Sequence, residues 1–265
     1  MHGLAKLAGA LGFICLAGPA AAVDDVDLEL VLAVDVSSMD SEEQRLQREG
    51  YVAAFRHPEV IQAILSGLTG RIAVTYMEWS GPGFQQVLVP WTIVGGRQEA
   101  EAFAASLDQV PMMREMGTSI SGGLQAAARL FASSGVRSIR QVIDVSGDGP
   151  NNMGVPVAPI RDSVIEQGIA INGLPIVLKD GGSYSLFNIA DLDLYYEDCV
   201  IGGPGAFMIS VDDMNGFARA IRRKLVLEIS GLSPRPIPVA FRPGPRVDCL
   251  IGEKLRQQWM NPSVK

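Results

Sequence analysis

Apolar stretches with two different periodicities follow one another along the chain, and they predict alternating strands and helices. Residues 28–34 form an almost continuous apolar run ending at Asp35, which is typical of a strand buried on both faces of a parallel sheet. The next segment has the spacing of an amphipathic helix, begins with Asp40 and Glu43 at capping-box positions, and is interrupted at His57-Pro58. The same patterns predict further strands over 71–79, 85–91, 138–145, 169–177 and 207–211, and further helices over 60–65, 97–107, 120–131, 155–167 and 212–227.

This alternation of elements predicts an α/β fold, a doubly wound three-layer, Rossmann-like structure with right-handed crossovers. The second and third strands are joined only by the tight Gly81-Pro82-Gly83 link, which favours an antiparallel hairpin. We therefore expect a mostly parallel central sheet with one antiparallel edge strand. Asp144 lies inside an apolar strand and is expected to pair with a donor from a neighbouring loop. Trp79 and Trp91 flank the hairpin and are expected to be core or edge aromatics.

The first 22 residues have the features of a secretory signal peptide. Lys6 precedes an apolar stretch over 7–17, and a Gly18-Pro19 break leads to three alanines at 20–22. The apolar stretch is shorter than the roughly 20 residues that span a bilayer as a helix. We therefore predict cleavage after Ala22, export to the periplasm or out of the cell, and no membrane span in the mature protein.

Composition fits one exported domain and excludes several functions. The chain has 265 residues, of which 48% are hydrophobic and 19% charged, so it can bury the core of an ordinary globular domain. Its formal net charge of −7 attracts no polyanion, and we expect no nucleic-acid partner. The histidines are His2 and His57, which nearly excludes His-based zinc sites and Ser-His-Asp triads. We expect a domain over 23–230 and a Pro-rich C-terminal tail over 231–265 packed on it.

Two cysteines, Cys199 and Cys249, remain after the predicted cleavage. Export places them in an oxidising environment, which favours a disulfide, although two unrelated buried thiols remain an alternative at this point. A disulfide would tie the tail to the body of the domain. The tail has prolines at 234, 236, 238, 243 and 245, so we expect the chain over 233–245 to run extended along the surface.

Hydroxyl and carboxylate side chains occur at three points where ligands are expected, because ligands of parallel sheets bind beyond the carboxyl ends of the strands. These points are the segment 35–40, with the sequence DVSSMD, the segment 117–122 around Thr118, and Asp148-Gly149. They offer oxygen ligands but no imidazole or thiolate, a set suited to Mg²⁺ or Mn²⁺. For any one acid alone, a helix cap or turn is the stronger interpretation, and Thr118 fits equally well as the N-cap of the helix near Ile120.

At these residues the chain resembles a von Willebrand factor A (vWA) domain over roughly 27–229. The metal-ion-dependent adhesion site (MIDAS) of that family combines a D-x-S-x-S loop, a distant Thr and a later Asp-Gly. Met39 departs from this pattern at the third loop position, and a thioether is a poor ligand for a hard cation. Either Ser38 or a water would have to replace the missing hydroxyl. The metal ligands that the resemblance implies are Asp35, Ser37, Ser38, Thr118 and Asp148.

Three shorter segments, 47–51, 202–207 and 248–254, resemble a bacterial exported family labelled domain of unknown function 1194 (DUF1194). That resemblance implies the same fold and site, but no reaction. The glycine-rich part of the second segment matches no phosphate-binding motif and is expected to be a turn.

Three functions are compatible with these residues. The preferred interpretation is a non-enzymatic binding module, in which a divalent ion bridges to an acidic side chain of a protein partner. The rival is a metal-assisted hydrolase, which would need Glu78 or Asp40 as base because His57 is expected away from the crevice. The third is a scaffolding domain that binds its partner without metal, for which Met39 is the argument.

Overall fold

The computed structural model describes residues 23–37, 41–113, 115–177, 189–213, 216–232 and 244–261. The expected signal peptide, residues 38–40 of the DVSSMD loop, and the proline-rich stretch 233–243 lie outside these ranges. The described elements are β1 (Asp24–Asp35), α1 (Ser41–Arg56), α2 (Pro58–Leu65), β2 (Ile72–Trp79), β3 (Gln85–Val94), α3 (Arg97–Asp108), α4 (Ile120–Leu130), β4 (Val136–Gly147), α5 (Val157–Glu166), β5 (Ala170–Pro175), α6 (Leu192–Tyr195), α7 (Phe217–Ser230) and α8 (Ile251–Met260).

The described strands form one sheet in the order β3-β2-β1-β4-β5. All neighbouring pairs are parallel except β2 and β3, which are antiparallel, so the predicted α/β fold with one antiparallel edge strand is confirmed. A β-bulge interrupts the hairpin, because Thr75 alone opposes both Pro90 and Trp91. The Thr75 hydroxyl donates to the Val89 carbonyl at 2.8 Å and so stabilises the bulge.

Helices cover both faces of the sheet and enclose two apolar cores. Along β1, Leu28, Leu30 and Leu32 point into the core beneath α1, α2, α3 and α7. Val31 and Ala33 point into the core beneath α4, α5 and α6. These side chains are all fully buried, which explains why the strand has a continuous apolar sequence rather than an alternating one.

The strands β1 and β4 are longer than their apolar runs predict. Strand β1 begins at Asp24, because Asp24 and Asp25 already pair with Val136 and Arg137 of β4, and each aspartate also forms an exposed ion pair with an arginine. Strand β4 extends to Gly147, two residues beyond the predicted end at residue 145. The extension matters because it carries the chain directly to Asp148.

Two predictions near the C-terminal end of the domain are wrong. Residues 207–211 form no continuous strand, although they make isolated bridges at Met208 and Val211 and exchange backbone hydrogen bonds with Gly173 and Pro175 of β5. Asp212 and Asp213 were expected to cap the next helix, but α7 begins at Phe217 and runs to Ser230, three residues beyond the expected end at Leu227. Asp213 accepts a hydrogen bond from the Gly216 backbone at 2.6 Å, so it closes the turn before the helix.

Asp144 pairs with a helix and not with the expected loop. Its Oδ1 lies 2.5 Å from Lys224 Nζ of α7, and Lys224 also pairs with Glu228 one turn further on. Asn172 Nδ2 donates to Glu228 Oε1 at 3.0 Å. All four side chains are buried, so this ionic cluster connects β4, β5 and α7 inside the core.

The aromatic residues of the hairpin have the expected structural roles. Trp79 is fully buried in the core. Trp91 is partly buried, packs on Phe131, and donates through Nε1 to the Leu130 carbonyl at 3.1 Å. Both contacts attach the hairpin to the α4 side of the sheet.

A disulfide between Cys199 and Cys249 confirms the predicted pairing, with Cα atoms 5.5 Å apart. The described part of the tail is not extended throughout, since α8 forms there, beyond the last proline of the 233–245 stretch. The sequence patterns also missed α6 and the π-helical turn at Tyr196–Val200 that contains Cys199. Among the described helices, none is both long and apolar enough to cross a membrane.

Candidate metal centre

The carboxyl end of β1 fixes the first two expected ligands. Asp35 is the last residue of the strand and is fully buried, and its Oδ1 accepts a hydrogen bond from the Ser37 backbone at 2.7 Å. The Val36 backbone donates to the Trp79 carbonyl at 2.9 Å, and Ser37 forms a parallel bridge with Glu115. The backbone after the strand is therefore held on both sides, with the Asp35 carboxylate and the Ser37 hydroxyl inside the molecule.

A separate loop brings Thr118 to the same place. Gly117 has a φ of +84°, a left-handed conformation that glycine adopts without strain. The Thr118 backbone donates to Asn152 Oδ1 at 3.0 Å, and the Thr118 carbonyl accepts from the Asn152 backbone at 2.9 Å. As a result Thr118 Oγ1 lies 2.9 Å from Ser37 Oγ, although the two residues are 81 positions apart in sequence.

The N-cap of α4 is Ser119, and the alternative assignment of that role to Thr118 is wrong. The Ser119 hydroxyl accepts a hydrogen bond from the Gly122 backbone at 3.2 Å. Because the neighbouring residue caps the helix, the Thr118 hydroxyl remains directed toward Ser37.

Asp148 directly follows β4 and is only partly exposed. Burial raises the pKa of Asp35 well above its usual value, and the charge of Asp148 raises it further. Burial also raises the pKa of Asp148 to about 7, with repulsion from Glu43 as a second cause. Asp35 Oδ2 and Asp148 Oδ2 are buried and accept no hydrogen bond within the described ranges. A positive charge between the carboxylates would relieve both penalties.

Gly147 provides the room that the Asp35 carboxylate occupies. An added Cβ there would lie 2.9 Å from Asp35 Oδ2 and 2.9 Å from the Tyr196 hydroxyl. Tyr196 is fully buried, and its pKa is raised mainly by burial and then by the charges of Asp35 and Asp148. The phenol therefore forms part of the wall around the two acids.

Four of the five expected ligands, Asp35, Ser37, Thr118 and Asp148, lie at this edge of the sheet, whereas Ser38 falls outside the described residues. In the part of the chain that the structure describes, no three His, Cys, Asp or Glu side chains converge to hold a metal ion. A metal centre here would depend on hydroxyl oxygens as much as on carboxylates, which fits the preference of Mg²⁺ for hard oxygen ligands.

Sequence reasoning missed three residues around these ligands. Asn152 holds the backbone of Thr118, and the neighbouring Asn151 accepts a hydrogen bond from the Ser121 backbone at 3.1 Å. Their position three and four residues after Asp148 was the available signal. Glu43, interpreted as a helix-capping residue, is buried and acts electrostatically on Asp148.

The bases that a hydrolase would need are engaged or distant. Glu78 pairs with Arg48 and accepts a hydrogen bond from the Tyr76 hydroxyl at 3.1 Å. His57 caps α2 at the far end of the 16-residue α1, which spans about 24 Å. Asp40 lies outside the described residues.

The sheet order, the helices on both faces and the position of these side chains define a vWA-like α/β domain. Within that class the chain belongs to the family described as "Protein of unknown function (DUF1194)", whose model matches residues 25–233. The third segment on which that resemblance depended, 248–254, lies beyond the matched range. No curated protein sequence matches the chain.

Solved structures with the same fold include proteins from very different sources. Proximal thread matrix protein 1 from the mussel byssus has a TM-score of 0.57 and 12% identity, covering 78% of this chain and 49% of its own. A second structure of that protein, with a "zinc occupied MIDAS motif", has a TM-score of 0.53 and 13% identity over 78% of this chain and 49% of its own.

The pilus adhesin SpaC from Lactobacillus rhamnosus GG has a TM-score of 0.54 and 15% identity, covering 78% of this chain and 30% of its own. A von Willebrand factor type A protein from Catenulispora acidiphila has a TM-score of 0.51 and 13% identity, covering 77% and 43%. The chain thus matches half or less of the length of these proteins, and at these identities the similarity is one of fold alone.

Proposed function

We propose that this protein is an exported, non-enzymatic binding module that holds Mg²⁺ or Mn²⁺ and uses the ion to engage an acidic side chain of a partner protein. The proposed ligands are Asp35, Ser37, Ser38, Thr118 and Asp148. The proposed mature protein begins after a signal peptide over 1–22 and consists of the domain over 23–230 and the tail over 231–265.

The observation that carries the proposal is the 2.9 Å approach of the Ser37 and Thr118 hydroxyls at the rim where the buried Asp35 and the partly exposed Asp148 also lie. Each carboxylate has one oxygen without a hydrogen bond from the described residues, and burial disfavours the charge on both. Leaving buried polar atoms unpaired is costly, so such an arrangement is expected where a ligand normally completes it. The atoms are hard oxygens, which fits Mg²⁺ or Mn²⁺ and not a soft metal.

A bound divalent ion would supply a positive charge with coordination positions that the protein leaves open. In that arrangement Asp35 and Asp148 neutralise the ion, the two hydroxyls orient it, and the surrounding surface selects the partner. The mussel protein with a zinc-occupied MIDAS motif and the pilus adhesin SpaC share the fold, which supports a metal-linked binding role without identifying the metal or the partner.

Isothermal calorimetry with Mg²⁺ and Mn²⁺ tests the metal part. We expect wild-type protein to bind with a dissociation constant at or below the millimolar range, and Asp148→Ala and Thr118→Ala to bind at least about tenfold more weakly. Asp162→Ala is the matched control, because Asp162 is an exposed acid paired with Arg161 outside the candidate metal centre. Absence of binding to the wild type, or equal binding by Asp148→Ala and wild type, would refute the proposal.

Co-purification from the native cell envelope tests the partner. The mature protein is expected to retain a partner in Mg²⁺ and to release it in chelator, and Asp148→Ala is expected to retain none. A partner held equally well in chelator would favour the metal-independent scaffold instead.

A further inference from the structure

The C-terminal helix α8 contacts the loop that holds Thr118, although it lies outside the residues that match the family. Gly252 packs so closely that an added Cβ would overlap the backbone carbonyl of Asn151. Glu253 Oε1 accepts a hydrogen bond from Asn151 Nδ2 at 2.7 Å. One turn of α8 therefore lies directly on this loop.

A continuous series of contacts leads from this helix to the expected metal ligand. Asn151 is fully buried, and while its Nδ2 donates to Glu253, its Oδ1 accepts from the Ser121 backbone at 3.1 Å. The adjacent Asn152 is bonded to both the backbone N–H and the carbonyl of Thr118. The loop thus couples the position of Glu253 to the position of the Thr118 backbone.

Helix α8 has little apolar surface of its own with which to stay in place. Gly252 is the one residue of α8 that is buried, whereas Trp259 and Met260 are largely exposed. The disulfide lies two residues before the helix and connects it to the fully buried Cys199. Helix α8 buries little apolar area apart from Ile251, which packs against the second core, and the disulfide adds a covalent restraint that keeps α8 on the loop.

We propose that Glu253 is a positioning residue for the candidate metal centre, and that the Cys199–Cys249 disulfide holds the helix that carries it. This inference rests on the proposed function for its metal readout. Glu253 fixes Asn151, the Asn151-Asn152 pair fixes the Thr118 backbone, and the Thr118 hydroxyl consequently stays beside Ser37. The C-terminal tail would then help to position the ligands of the candidate metal centre.

Calorimetric titration of the full mature chain with Mg²⁺ tests this role with three variants. Glu253→Ala is expected to lower the affinity about tenfold, the range seen when residues behind metal ligands are removed. Glu253→Gln is expected to restore it, because the amide oxygen accepts the same hydrogen bond from Asn151. Lys254→Ala is the control on the same helix, since it removes only an exposed ion pair with Asp248. Wild-type affinity in Glu253→Ala, or equal losses in Glu253→Ala and Glu253→Gln, would overturn the proposal.

Hydrogen exchange without metal separates this proposal from the proposed function. The Thr118 and Asn152 amides are expected to exchange faster in Glu253→Ala and in the Cys199→Ser/Cys249→Ser double variant, at temperatures where both remain folded. If wild type binds no Mg²⁺ but these amides respond, the proposed function fails and the positioning role stands. If wild type binds Mg²⁺ and neither affinity nor exchange changes in Glu253→Ala, the positioning role is wrong and the proposed function stands. Glu253→Ala keeps the test valid should the double variant fail to fold.

Discussion

The acids at the rim of the sheet lower the stability of the metal-free fold. Asp35 and Asp148 are carboxylates whose charge is disfavoured by burial, and their free oxygens accept nothing within the described ranges. Hydroxyls, which carry no charge, complete the set at Ser37 and Thr118. Holding these two acids together therefore lowers the free energy of unfolding of the metal-free protein, and that free energy should depend on whether the acids are protonated.

Asp148→Asn is expected to change the pH dependence of stability in chelator. The pKa of Asp148 in the folded protein is about 7, above its ordinary value, so the folded state holds a proton that the unfolded state releases. Its contribution to stability is complete in acid and is lost as the pH rises toward 7. Wild type should lose stability between pH 5 and pH 7.5, and the variant should lose less, as measured by urea denaturation. Parallel profiles for the two proteins would contradict this assignment.

Secondary-structure elements were predictable wherever one physical rule dominated. The apolar run of β1 and the break between α1 and α2 at His57-Pro58 were identified because burial and proline geometry act locally, although α2 begins at Pro58 and not at residue 60. Residues 207–211 have a strand-like composition, but they form no continuous strand beside β5, which the sequence does not reveal. Helix α8 was missed because it has a small apolar contact surface and is held to the domain partly by a disulfide between residues 50 positions apart.

Gly123→Ala tests the close packing between α4 and β2. An added Cβ would lie 2.9 Å from Trp79 Cδ2 and 3.0 Å from its Cγ, and this indole is fully buried and cannot easily move. We expect a loss of about 1–3 kcal/mol in the free energy of unfolding, measured by urea denaturation, despite the better helix propensity of alanine. Gly83→Ala is the control, because an added Cβ there meets no atom within 4 Å. Equal stabilities of the two variants would show that the helix can shift.

At the scale of the whole molecule, the ligand types of the candidate metal centre and their shared position were predictable, but the residues that support them were not. The positions of Asp35, Thr118 and Asp148 at strand ends or at a helix start predicted a shared rim, because parallel strands end at the same edge. The supporting residues were harder to identify, because Asn151 and Asn152 bond to a loop 30 and 34 positions away and Glu253 bonds to Asn151 across 102 positions. The ionic cluster of Lys224, Asp144 and Glu228 was equally hidden, because the identity of a buried partner depends on helix placement.

Lys224→Met tests how far this cluster stabilises the molecule. Removing the cation leaves Asp144 and Glu228 buried without it, and we expect a loss of about 3–5 kcal/mol at pH 8. Burial and the charge of Asp144 already raise the pKa of Glu228 to about 8, so the loss should be smaller at pH 5, where the Glu228 carboxyl holds a proton. Arg223→Met, one position earlier and exposed, is the control. Urea denaturation at both pH values measures the loss in the free energy of unfolding. An equal loss at pH 5 and pH 8 would contradict the assigned role of Lys224 in neutralising the buried carboxylates.

The bulged hairpin also bears on edge-to-edge strand pairing between copies of the protein. Strand β3 is the last strand on its side of the described sheet, and an outer strand with regular N–H and C=O groups is a template for stacking molecules side by side. Pro90 has no N–H to offer an incoming strand, and the bulge opposite Thr75 disrupts the regular spacing. The edge strand of the described sheet thereby carries a barrier to fibrous aggregation of the folded protein.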